Sequence, residues 1–156
     1  MARKTKIVTI DGDPSTNRDA GKNFLITEMP ASKAEKWAAR CLLALVNAGF
    51  EIDDNDRQLG MAAMAARGVR SLGSIAWHDA EPLLDEMMGC VHYLPSLDAP
   101  DVHTPLVEHD IEEVSTRIFL RDKVFELHVG FSPAARMSMS QSLAAQGQSN
   151  SETTQI

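Results

Sequence analysis

The chain has 156 residues, 44% of them apolar and 24% charged, with a formal charge of −7. This is ordinary globular composition, long enough for one domain with a real core and too short to expect two. No run approaches the roughly 20 apolar residues needed to cross a bilayer, and the basic start MARKTKIVTI lacks the apolar run and cleavage site of a secretory signal. Residues 51–110 carry twelve acidic against three basic side chains, a net −9, which argues against a nucleic-acid groove and reads as a solvated acidic face. A soluble, intracellular protein without nucleic-acid or membrane partners is the expectation. Cys41 and Cys90 are too few and too distant for a disulfide scaffold, and reduced, structural roles are expected of both.

Lys6–Ile10 is a β-branched run that predicts a first strand, and Lys22–Thr27 reads as its return. The turn formers DGDPSTNRDAG between them predict a hairpin with a long, mobile tip. Pro30 ends the extended stretch. Ser32 stands three residues before Glu35, the spacing of a capping box, and Trp37, Ala38, Cys41, Leu42, Leu45 and Val46 then recur at helical spacing until Gly49 supplies the stop.

Asp56 is the expected N-cap of a second helix through about Arg67, with Leu59, Ala62, Ala63 and Ala66 on one side and Met61 and Met64 adding soft apolar surface. Val69–Trp77 reads as a short helix or an irregular crossover. A third helix is expected from about Ala80 to Cys90, opened by Asp79, Glu81 and Pro82 and burying Leu83, Leu84, Met87 and Met88. Residues 91–105 hold three prolines and read mostly as loop, with a short extended piece at Val91–Leu94. Asp110 and Glu113 repeat the capping spacing, with Asp110 the expected N-cap of a last helix from Ile111 towards Val129. Its apolar residues Val114, Ile118, Phe119, Leu120, Val124, Phe125 and Leu127 predict burial on more than one side.

From Ser132 the chain turns to Ser, Gln, Ala and Thr, too poor in large apolar groups to offset the entropy of ordering. The expectation is therefore a single α+β domain over residues 1–131: a hairpin at about 5–28 against three to four helices at about 31–131, then a disordered tail at 132–156.

Several patterns approach a functional motif and fail. Eight residues, not four, separate Gly12 from Gly21-Lys22, and Asn23 stands where a phosphate loop needs a hydroxyl. Asp11, Asp13 and Ser15 resemble the start of a calcium loop, but Thr16 and Lys22 replace its glycine and glutamate. The five histidines form no zinc signature, and no serine sits in a nucleophile elbow. Asp85-Glu86 and Glu112-Glu113 are neighbours that diverge on a helix, so neither makes an acid/base couple. No catalytic, cofactor or metal residues are expected. Met61, Met64, Met87 and Met88 are candidates for an adaptable partner-binding groove, with core filling the commoner role of methionine in such helices.

Three blocks, RDAGKNFLITEMPASKAEKWAARCLLAL (18–45), AEPLLDEMMGCV (80–91) and PLVEHDIEEVSTRIFLRDKVFELHVGF (105–131), resemble tail assembly chaperones of tailed bacteriophages of Gram-negative hosts. The resemblance implies a non-enzymatic protein of the host cytoplasm that binds tape-measure and tail-tube proteins while the tail is built and is absent from the finished virion. It also implies a longer frameshifted form in many members, for which the Ser/Gln tail would suit as a junction. A homo-oligomer is left open. The alternatives are a structural minor tail or tail-completion protein and, from another class, a small hydrolase using His78-Asp79 or His109-Asp110.

Overall fold

β1 (Thr5–Thr9) and β2 (Asn23–Thr27) pair antiparallel, with Val8 opposite Phe24 and Ile7 opposite Leu25. They belong to a computed structural model that describes residues 2–51 and 72–129. The expected hairpin is half of a four-stranded antiparallel sheet in the order β1-β2-β3-β4. β3 (Val91–Leu94) is the short extended piece anticipated after the third helix, and it lies on the far side of β2. β4 (Thr104–Pro105) is a two-residue edge strand, where proline's missing N–H does no harm to the ladder.

Three helices complete the described residues: α1 (Ala31–Asn47), α2 (Trp77–Met88) and α3 (Val114–Val129). Val8, Phe24, Ile26 and Val91 project from one sheet face into a core that they share with Trp37, Cys41, Leu83, Met87, Leu120 and Val124. The fold is α+β, as composition and pattern indicated. The helix expected at 56–67, with Met61 and Met64, and the tail from 132 lie outside the described residues.

Helix boundaries depart from the sequence reading for identifiable reasons. α1 starts at Ala31 with Pro30 in the N-cap position and no side-chain cap, so Ser32 already lies in the first turn and forms no box with Glu35. Its other end behaves as expected: Gly49 takes φ 90°, and the amides of Gly49 and Phe50 turn back to Val46 and Leu45. α2 opens three residues earlier than predicted, which puts Pro82 inside the helix at the expense of a bond to the His78 carbonyl. α3 opens three residues later, after a 3-10 turn at Glu108–Asp110. It is not buried on several sides. Thr116, Leu120, Val124 and Leu127 form one inward stripe, whereas Val114, Ile118 and Phe119 face water.

The helices are locked to one another by a few polar contacts. The Trp37 indole N–H donates to the Leu83 carbonyl at 3.0 Å, tying α1 to α2 inside the core. Above it, Arg40 grips Glu86 with both terminal nitrogens, at 2.6 and 2.8 Å. His128 near the end of α3 accepts the Met29 amide on Nε2 at 2.8 Å, while Nδ1 faces the Val124 carbonyl at 2.7 Å. Those partners require the neutral ring with its proton on Nδ1.

Candidate functional site

The hairpin tip contains the one carboxylate in the described residues that is sealed completely from water, Asp19. The local sequence brings it there. Asp13 accepts the Ser15 amide on its side chain and the Thr16 and Asn17 amides on its carbonyl, and Asn17 in turn accepts the Asp19 amide. These short-range bonds curl the tip inward. Asp19 then accepts the amides of Glu112 and Glu113 at 2.9 Å each, and Lys22 reaches the same carboxylate at 2.8 Å. Lys22 also donates to the Asp110 carbonyl, and Arg18 holds Glu113 through Nε at 2.7 Å. The tip expected to be mobile is thus bound to the entrance of α3.

Loss of water pushes the Asp19 pKa up, and this is the largest single influence on it. Lys22 and the two amides outweigh it, with a smaller pull from the nearby Thr116 hydroxyl, and hold the pKa at about 2. Arg18 likewise keeps the Glu113 carboxyl below the ordinary glutamate range. A carboxylate this acidic, with both oxygens occupied, is neither a base nor an acid at neutral pH. It is a structural clasp that fills the place for which the sequence suggested Asp110, whose own carboxylate instead accepts the Val107 amide. Nothing in the local pattern around Asp19 signals this role, because the amides it holds lie more than ninety residues away and only Lys22 is near in sequence.

A cavity of about 300 Å³ opens beside β3 and β4, walled by Met88, Val91, His92, Leu106, Ile111 and Arg117. The His92 Nδ1 is buried there without a hydrogen-bond partner. Burial, and then the His103 ring stacked edge-on at 5.1 Å, depress its pKa and keep it neutral. A neutral ring nitrogen beside an arginine can orient a polar group, but no nucleophile stands with it. Among the described residues no three His, Cys, Asp or Glu side chains converge to hold a metal.

The other residues singled out from sequence are scattered. Met87 and Met88 are 2% and 7% exposed and belong to the core, so they present almost no surface to a partner. Their stripe on α2 faces the core, where α1 and α3 pack against that helix. His78 is exposed and lies 3.5 Å from the neighbouring Asp79, with no third group to orient the pair. Cys41 and Cys90 are free and buried, and burial pushes both thiols up to about 11.

Unpartnered apolar surface lies elsewhere. Leu43 and Val46, one turn apart near the end of α1, are 61% and 49% exposed, and Phe50, just past the Gly49 turn, is 40% exposed. Val114 and Ile118 form a shorter exposed pair on α3. No described helix is long and apolar enough to cross a membrane. No family model, curated protein or solved structure matches this chain.

Proposed function

We propose that this chain is a tail assembly chaperone of a tailed bacteriophage, a protein-binding module of the host cytoplasm that works without catalysis or cofactor. Its clients are the tape-measure and tail-tube proteins. The observation that carries this reading is the exposed row Leu43, Val46 and Phe50. Leu43 and Val46 one turn apart on α1, with Phe50 just beyond its end, offer an apolar edge to an amphipathic partner helix. Covering three such side chains contributes a few kcal/mol, about 1.5–3 for each one fully buried. The charge of −7 repels like complexes and keeps a greasy client dispersed. Further support comes from the resemblance, whose three blocks overlap α1, α2 and α3 in turn.

The test is co-expression with the tape-measure protein of the same genome, with and without Leu43→Ser/Val46→Ser. The native chain should raise the soluble fraction of the client and co-elute with it, and the double variant should fold but lose the complex. A client that is no more soluble in the presence of the native chain would refute the proposal. Recovery of the chain from purified particles would turn the assignment to a structural tail component.

A further inference from the structure

β1 is an edge strand, and its hydrogen-bonding pattern tells which groups the edge offers. Ile10 donates to Lys22, and Glu28 donates to Lys4, so the even-numbered residues of β1 exchange bonds with β2. The amides and carbonyls of Thr5, Ile7 and Thr9 therefore point away from the sheet. None of the three has a backbone partner among the described residues. Their side chains lie on the sheet face opposite the core, and Ile7 is 43% exposed.

We infer that β1 pairs antiparallel with β1 of a second copy, centred on Ile7, joining two four-stranded sheets into one of eight strands. In this register Ile7 faces Ile7 of the other copy and Thr5 faces Thr9. All three outward residues then fall in hydrogen-bonded positions, about six bonds in total. Ile7 already neighbours Leu25, so the pairing extends one apolar row across both sheets.

Charge selects this partner over an unrelated strand. The same register sets Arg3 opposite Asp11 at both ends, because the two residues stand four places either side of Ile7. Arg3 has no carboxylate partner and Asp11 no cation among the described residues. Lys6, the charge that would ordinarily guard such an edge, points to the helical face and is held by Glu126 at 3.3 Å. The helices leave room as well. α3 lies against β2, so its counterpart sits about three strand spacings away, roughly 14 Å, beyond the 10–12 Å diameter of a helix.

The inference is independent of the client that the chain binds, and is tested on the full chain alone by sedimentation equilibrium or light scattering over a concentration series. The native protein should show twice the 17.1 kDa chain mass. Ile7→Pro removes an outward amide without touching the β1–β2 ladder and should leave only the single-chain mass. Arg3→Glu and Asp11→Arg should each weaken the dimer on the order of tenfold, since each reverses two symmetric ion pairs. Combined in one chain they should restore it. A native protein of single-chain mass throughout the series overturns the inference. So does a dimer that survives Ile7→Pro, or a double charge reversal no tighter than either single one.

Discussion

Replacing Asp19 tests whether the hairpin tip is the clasp of α3. Its carboxylate is fully buried, bonded to two amides and one ammonium, with a pKa of about 2 against an ordinary 3.8. That gap corresponds to about 2 kcal/mol of folding free energy. Because the folded pKa is the lower one, the contribution is complete above about pH 4 and is lost as the pH falls through 2. Asp19→Asn keeps the shape and removes the charge, so it should cost about 2 kcal/mol at neutral pH and nearly nothing near pH 2. Asp19→Ala also strips the acceptor from two half-buried amides and should cost about 3 kcal/mol. Lys22 retains a partial path to water, which limits the penalty for its stranded charge. Adding Lys22→Met to Asp19→Ala should recover part of the loss, since the two groups act as a unit. Urea unfolding followed by tryptophan fluorescence reads all of this, because Trp37 is buried in the core. An Asp19→Asn protein as stable as the native one at neutral pH, or a deficit that stays constant down to pH 2, would refute the reasoning.

Other contacts give sharper, smaller effects. Arg40→Ala or Glu86→Gln should cost about 0.5–1 kcal/mol, and a double-mutant cycle should shrink that coupling in about 1 M salt, because Arg40 remains partly exposed. His128→Ala leaves the Met29 amide without its acceptor and should destabilise by about 1–2 kcal/mol by urea titration. Both thiols, held near 11, should resist a disulfide reagent in the native protein at about pH 8 and react at once in denaturant.

The comparison of α2 with α3 explains what pattern-reading can and cannot see. Leu83, Met87 and Met88 were legible as a buried face because a helix repeats its contacts every three or four residues, and burial followed. Whether that face meets the core or a partner is a different question, decided here by α1 and α3, which pack against α2. In α3 the apolar residues were correctly identified but too generously buried. Ile118 and Phe119 point outward because only one stripe of the helix can meet the core. Asp19 is the clearest omission. A carboxylate among turn formers looks like any solvated loop residue until the chain folds it under Glu112 and Glu113.

Local order along this chain was therefore written in its spacing: the paired strands, the glycine that closes α1, the α+β composition of the whole. These depend on neighbours within a few bonds, and periodicity reports them directly. Only the folded molecule assigned β4 and the pairing of β3 with β2, the burial of Asp19, the sealing of Met87 and Met88, and the bare edge of β1. Each arises from groups brought together across tens of residues, and no window of sequence contains both partners.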